Sequence, residues 1–332
     1  MAAEPGTIEP ARAAPAAHPA RPTAIEVRSL VKTYPRGVRA LDGISFSAAR
    51  GEITAVLGPN GAGKSTLIKA MATLTGFEAG SIGVDGVDVR ARPAEVRRRI
   101  GVVSQAYSSD PSATGYDNLR LQARIYGLRG DRLRGRLHEL LEWMDLGSAA
   151  GRLVRTYSGG MRRRLELAMG LVHEPAVLVL DEPTAAVDPV AAEGLWSLVT
   201  ELCRDRRMSV LLTTHQLDEA DRLASWVVIL NKGAVVVQGS PRDLKEELRG
   251  DVVSVRLTDS ATARRVKAAM RRVAQVRNVA WAGTELRVDV QGDARALGSV
   301  LEVLTAHSVT GPVSVSRPSL NDIYFRHAGG RR

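Results

Sequence analysis

Gly58-Pro59-Asn60-Gly61-Ala62-Gly63-Lys64-Ser65 fits the GxxxxGK[ST] spacing of a phosphate-binding loop, and it follows the apolar run at residues 53–57. Glycines here let the backbone turn tightly and aim successive N–H groups inward, and the next helix points its positive end at the phosphates. Lys64 adds a cation, and Ser65 a hydroxyl ligand for magnesium. That chemistry suits a nucleoside triphosphate with Mg2+. Residues 65–74 carry Leu67, Ile68, Met71 and Leu74 at helical spacing, so the loop sits between a strand and a helix as such a site requires. The candidate cradle is therefore Gly58, Pro59, Asn60, Gly61, Ala62, Gly63, Lys64, Ser65 and Thr66.

A second acidic element stands at Val177-Leu178-Val179-Leu180-Asp181-Glu182. A continuous apolar run belongs in a strand buried on both faces of a parallel sheet, and ligands bind at the carboxyl edge of such sheets. Asp181 is then placed to hold magnesium, directly or through water, and Glu182 to polarise the water that attacks a terminal phosphate. An acidic pair opening a helix before Pro183 is the structural alternative. Ser158-Gly159-Gly160 leads into a helix beginning near Met161 and again presents N–H groups to an anion. Arg162, Arg163 and Arg164 follow at once. Cations in a first helical turn oppose the helix dipole, which predicts an anion facing them, with a solvated cluster as the alternative.

The elements that must position these residues are legible as alternating patterns. Residues 25–31 and 44–48 read as strands ahead of the loop, and Val84-Asp85-Gly86-Val87 as a tight primed hairpin, so antiparallel strands are expected to join the parallel set. From residue 117 to 146 the spacing is helical, with Leu119, Ala123, Tyr126, Leu137, Leu140, Leu141 and Met144 at intervals of three and four. Strands resume at 177–180 and 210–213 around a helix over about 191–203. A last hairpin turns at Lys232-Gly233, and residues 242–250 read as a charged linker. After it the order is βαββαβ, with a turn at Gly283-Thr284, which suggests a small ferredoxin-like α+β domain.

With 332 residues, 44% of them hydrophobic, the chain has room for about two domains with real cores. No run approaches the roughly 18 uninterrupted apolar residues of a membrane helix. Residues 1–24, mostly Ala and Pro with scattered charges, lack the apolar centre of a signal peptide and read as a disordered tail. Cys203 stands alone, which excludes an internal disulfide framework and a multi-cysteine zinc module; it reads as core filler in a reducing cytosol. His18, His138, His173, His307 and His327 lack an informative position and read as surface or packing residues. The net charge of +10 suits nucleic acid, an anionic membrane face or simply a solvated surface, and aromatics at 4% supply few stacking platforms for a single-strand binder.

In this order the motifs resemble the ATP-binding subunit of an ABC transporter over residues 25–239. The resemblance implies an α/β ABC-type P-loop domain over about 25–245, a mixed sheet with a helical insertion at about 106–165, and an accessory domain over 250–327. Tyr157-Ser158-Gly159-Gly160-Met161 matches the signature turn, implying that Ser158, Gly159 and Gly160 meet the γ-phosphate held by a facing subunit. Gln105 matches the lid glutamine that reaches magnesium and the attacking water, which puts Ser65, Gln105 and Asp181 forward as the metal set. His215 matches the switch histidine, Tyr34 an adenine-stacking aromatic with a core tyrosine as the alternative, and Asp188 the aspartate by which facing subunits communicate. Lys64, Gln105, Glu182 and His215 are then the catalytic set, with ATP and Mg2+ as cofactors.

Tyr157, Met161 and residues 185–187 depart from the commonest pattern. Together with Arg162-Arg163-Arg164-Leu165 and the tail Arg317-Pro318-Ser319-Leu320-Asn321-Asp322-Ile323-Tyr324-Phe325 they resemble the daunorubicin-resistance branch. That branch implies an ATPase peripheral to the cytoplasmic face of the membrane, working as a nucleotide-sandwich dimer of two copies. Its partner would be a separate multi-spanning permease that exports a drug-like or antibiotic-like hydrophobic compound, contacted through residues 107–116 and the helical insertion. The alternatives are lipid or polysaccharide export and, with no long heptad array or second ATPase domain to support it, a soluble ATPase acting on DNA or ribosomes. No specific nucleic acid is expected as a partner.

Overall fold

In the computed structural model residues 22–328 are described, apart from 186, 249, 258–259, 283–284, 292–293 and 310. Most of the tail expected to be disordered, Ala186 and the Gly283-Thr284 turn thus lie outside the described residues. β1 (Thr23–Tyr34) and β2 (Val38–Ala49) pair antiparallel. β3 (Ile53–Leu57), buried at every residue, delivers the glycine loop to α1 (Lys64–Met71). β4 (Ala79–Val84) and β5 (Val87–Asp88) turn at Asp85 and Gly86, whose φ of 49° and 77° are those of the primed hairpin expected. α2 (Pro93–Arg99) and β6 (Ile100–Val103) lead to the helical insertion, α3 (Gly115–Ile125) and α4 (Gly130–Trp143).

The chain leaves the insertion through α5 (Gly159–Leu171) and continues with β7 (Val177–Asp181), α6 (Pro189–Arg206), β8 (Ser209–Thr214) and α7 (Leu217–Leu223). β9 (Trp226–Asn231) and β10 (Ala234–Gly239) form a second primed hairpin, with φ of 48° at Lys232 and 79° at Gly233. One six-stranded sheet results, ordered β10-β9-β3-β8-β7-β6 and parallel throughout except at its β10 edge.

The two-residue period of its strands sorts their side chains into two cores. Leu57, Leu180 and Leu212 pack under the helices of the insertion together with Leu140, Leu167 and Val199. Val56, Val179 and Leu211 pack on the opposite side with α1 and the N-terminal strands, through Leu67, Met71, Ile25 and Leu30. The expectation that antiparallel strands join the parallel set therefore needs correction. Among the described residues only β10 does, whereas β1, β2, β4 and β5 form their own sheet, ordered β2-β1-β4-β5. Register shifts in the β1–β2 ladder go with this separate course, since bulges bend and twist the strands that carry them.

The expected linker at 242–250 also differs. Residues from Pro241 fold as α8 (Pro241–Glu246), because Ser240 accepts from the Asp243 amide at 3.1 Å, proline suits the first turn, and Leu244 and Leu248 find buried places. Beyond it lie β11 (Asp251–Arg256), α9 (Ser260–Met270), β12 (Val276–Ala282), β13 (Glu285–Val290), α10 (Ala294–Ala306), β14 (Val313–Ser316) and α11 (Leu320–Ala328). Strand order β12-β13-β11-β14, antiparallel at every pairing, is that of the ferredoxin-like arrangement, with a core of its own from Val253 and Val288 to Val300. α11 leaves that core and buries Leu320 and Ile323 in the insertion-side core of the large sheet.

Candidate nucleotide site

Four loops leave the carboxyl ends of parallel strands on one edge of the six-stranded sheet, and each carries one of the candidate side chains. β3 delivers the glycine loop, β6 Gln105, β7 Glu182 and β8 His215. They line a cavity of about 1010 Å3 whose rim also holds Tyr34 from the end of β1. Residues 59–66 all line it, and Gly58 stands just behind, where an added Cβ would meet the Leu230 carbonyl at 2.5 Å. At Gly63, φ is 109° and a Cβ would come within 2.6 Å of the Ala40 carbonyl, so only glycine serves as the N-cap of α1 there.

The side chains converge on one carboxylate. Lys64, buried to 5% exposure, donates to the Gly58 carbonyl at 2.6 Å and stands 3.5 Å from Glu182 Oε1. Gln105 Nε2 donates to Glu182 Oε2 at 3.4 Å, and His215 Nδ1 lies 3.4 Å from that same oxygen. Glu182 itself has φ 46°, a left-handed conformation uncommon outside glycine, held by its N–H donating to the Thr213 carbonyl at 3.0 Å. Asp181 does not line the cavity; its Oδ1 accepts from Thr213 Oγ1 at 2.6 Å, which fixes the carboxylate behind Glu182.

Other candidates lie apart from this group. Ser158 caps α5, accepting from the Met161 amide at 3.2 Å, and Asp188 caps α6, accepting from the Ala191 amide at 2.9 Å. The two helix starts abut, because the hydrogen of Gly160 leaves room for the Ala191 methyl, which a Cβ would approach to 2.8 Å. Ser158, Gly159, Gly160 and Asp188 do not line the cavity of their own chain. Tyr157 is explained by packing: its hydroxyl donates to the Ala149 carbonyl at 2.8 Å, and its ring fills the space that a side chain at Gly115 would need.

The three arginines of the run have separate surroundings within the chain. Arg163 is buried and donates to backbone carbonyls, Arg164 pairs with Asp145 at 3.1 Å, and Arg162 lies over the Tyr107 ring. Val38, Arg39, Ala40 and Lys232 line the cavity as well, and no local pattern announces them, because the start of β2 and the β9–β10 hairpin bring them in. Cys203 is buried and its thiol is pushed up to about 12 by desolvation, as core filler would be. His173 stacks on Tyr126 at 3.8 Å, and burial holds its pKa below the ordinary histidine value.

The ABC transporter family profile matches residues 41–185. Over 309 residues, 92% of both chains, the sequence is 39% identical to the daunorubicin/doxorubicin resistance ATP-binding protein DrrA of Streptomyces peucetius. The chain belongs to the ABC transporter ATP-binding family. It is also 31% identical over 308 residues to the linearmycin resistance ATP-binding protein LnrL of Bacillus subtilis (strain 168), covering 92% of this chain and 98% of that one. Among solved structures, cbiO1 of Clostridium perfringens, part of an ABC transporter complex, superposes with a TM-score of 0.64 at 30% identity, covering 68% of this chain and 92% of that one. A dimeric ATP-binding cassette in a post-hydrolysis state with ADP and Pi superposes with a TM-score of 0.60 at 25% identity, covering 65% and 98%. The chain is thus an ABC-type ATPase, and its resemblance to the daunorubicin-resistance branch extends through the C-terminal sheet. Among the described residues no helix is long and apolar enough to cross a membrane.

Proposed function

We propose that this chain is the ATP-hydrolysing motor of an exporter of drug-like hydrophobic compounds, acting as a two-fold dimer on a separate membrane permease at the cytoplasmic face. The observation that carries the chemistry is the meeting of Lys64, Gln105 and His215 at the Glu182 carboxylate beside the glycine loop. The relatives named for daunorubicin, doxorubicin and linearmycin resistance support the cargo class.

Residues 59–66, Lys64 among them, hold the phosphates, and Tyr34, which lines the same cavity, stacks on the base. Ser65, Gln105 and Asp181 offer a hydroxyl, an amide and a carboxylate, an all-oxygen set that fits Mg2+. Among the described residues no group of three or more His, Cys, Asp or Glu forms a self-sufficient metal cage, which suits an ion held partly by phosphate. When bound, Mg2+ supplies charge neutralisation at the transferring phosphoryl group. Glu182 orients and polarises the attacking water, and His215 bonds the γ-phosphate and registers its departure. The helix starts at Ser158-Gly159-Gly160 and Asp188 do not reach this cavity in their own chain, so in a two-fold dimer they complete the facing one.

Residues 25–245 act as the nucleotide-binding unit and 250–327 as an accessory domain, a division supported by their separate sheets. The permease contacts residues 107–116 and the helical insertion, where Tyr116, Leu121 and Ile125 stand exposed.

With Mg·ATP, Glu182→Gln is expected to retain nucleotide binding, accumulate a nucleotide-dependent dimer on size exclusion, and lose most turnover. Wild-type turnover in that variant would remove Glu182 as the base. For the transport assignment, affinity purification from native membranes with detergent should bring down a stoichiometric multi-spanning protein, whereas recovery only with DNA or ribosomes would overturn it.

A further inference from the structure

Arg163, three residues after Gly160 in the first turns of α5, is only 2% exposed and spends its guanidinium on three backbone carbonyls. Nε donates to Pro183 O at 2.6 Å, one terminal nitrogen to Ser104 O at 2.6 Å, and the other to Glu182 O at 3.1 Å. Two of those carbonyls belong to the turn that carries Glu182, and the third belongs to the residue before Gln105. Burial pushes the arginine's pKa down, and Tyr107, Glu166 and Asp181 oppose the shift electrostatically. A buried charge of this kind is tolerated only when its donors are satisfied by well-placed acceptors.

Glu166, one helical turn further along α5, completes the grip. Its carboxylate accepts from Ser108 N at 2.9 Å, Ser109 N at 2.8 Å and Ser108 Oγ at 2.5 Å. Residues 104–109 are therefore fastened at both ends to one helix, with Tyr107 between them lying over Arg163 at 5.6 Å. That helix begins at the Ser158-Gly159-Gly160 turn, so whatever moves the turn also moves the anchors of Gln105 and Glu182.

We propose that Arg163 is a positioning residue for hydrolysis, one guanidinium holding the backbone beside both Gln105 and Glu182 and tying their placement to the helix that starts at the Ser158-Gly159-Gly160 turn. The inference rests on the roles given above to Gln105 and Glu182. Its physical content lies in Glu182, whose left-handed backbone, at φ 46°, persists only while its surroundings over-determine it. Without the guanidinium, the Glu182 and Pro183 carbonyls lose a charged donor and the turn can relax toward commoner backbone angles, carrying the carboxylate away from the water it must orient. Nucleotide binding depends on the glycine loop and Lys64, which Arg163 does not touch.

The test is Mg·ATP turnover and nucleotide affinity of the full chain carrying Arg163→Met and, separately, Arg163→Lys. The methionine variant should lose about tenfold or more in kcat with KM and nucleotide Kd within about twofold of wild type. The lysine variant, whose single ammonium cannot span three carbonyls, should recover part of the rate. Unchanged kcat in the methionine variant overturns the proposal, as does a KM or Kd that worsens in proportion to kcat, the mark of a merely structural role. If the methionine variant does not fold, the lysine variant decides alone: full kcat overturns the proposal, and a lowered kcat at unchanged Kd supports it. Glu182→Gln measured alongside separates the two layers. Loss of turnover there with none in Arg163→Met sinks only the Arg163 inference, whereas retained turnover there sinks the roles beneath it.

Discussion

The large sheet and the C-terminal sheet both bury charge, and they use it differently. At the edge of the large sheet, Lys64 and Glu182 are nearly buried yet face an open cavity, where a triphosphate can replace their mutual contact. In the C-terminal sheet, Arg287 on β13 donates to Asp322 at 2.7 Å and lies 4.1 Å over the Phe325 ring, while Asp322 also accepts from Ser319 N at 2.8 Å and Ser319 Oγ at 2.6 Å. There the charges fasten α11, which in turn drives Leu320 and Ile323 into the other core. Buried ions left facing a cavity are available for chemistry; buried ions closed by internal hydrogen bonds serve attachment.

The largest effect is expected where the charge faces the cavity. Lys64→Ala removes a charged donor to phosphate, worth about 3 kcal/mol or about a hundredfold in nucleotide Kd by calorimetry. Thermal unfolding without nucleotide should change less, because Lys64 faces the open cavity and one of its two backbone acceptors, the Pro59 carbonyl, belongs to a residue that lines it. A loss of stability as large as the loss of affinity would erase the contrast between the two regions.

A smaller effect, of the opposite kind, is expected at the junction. Ile323→Ala leaves a cavity where α11 meets the core and should cost about 2–4 kcal/mol, read by denaturant unfolding and by faster amide exchange in α11. Nucleotide affinity should stay at the wild-type value. If affinity falls with stability, α11 belongs to the site and not to the attachment.

The chemistry was far more legible in the sequence than the attachments. The glycine loop, the acidic pair and the Ser158-Gly159-Gly160 turn are contiguous, and contiguous residues reveal the backbone geometry they need. Gln105, Tyr34 and His215 took their meaning from the resemblance, and the sheet edge then gathered them. The roles of Arg163 and Glu166 escaped because their partners at Ser104, Ser108, Ser109, Glu182 and Pro183 lie in other loops, so the arginine run read as cations facing an anion or as a solvated cluster. The segment from Pro241 read as a linker because its charges outnumber its two buried leucines. The separate N-terminal sheet was hidden because period-two patterns tell which face of a strand is buried, not which sheet it joins.

The smallest effect sharpens the comparison through pH. Asp289 on β13 is 5% exposed, its Oδ2 has no hydrogen-bond partner among the described residues, and burial raises its pKa, with nearby Asp322 adding to the rise while an Asn278 hydrogen bond and Arg326 oppose it. A carboxyl whose folded pKa lies above its unfolded one binds more protons in the native state, so its contribution to stability is full below the ordinary value of 3.8 and is lost as pH rises through the raised one. Wild type should therefore lose stability across that window relative to Asp289→Asn, which has no proton to release. Urea unfolding of both proteins through the window measures the difference and cancels the titration of every other group. Parallel curves would mean that Asp289 ionises in the fold as it does in water, and that the C-terminal sheet does not hold this acid apart from solvent.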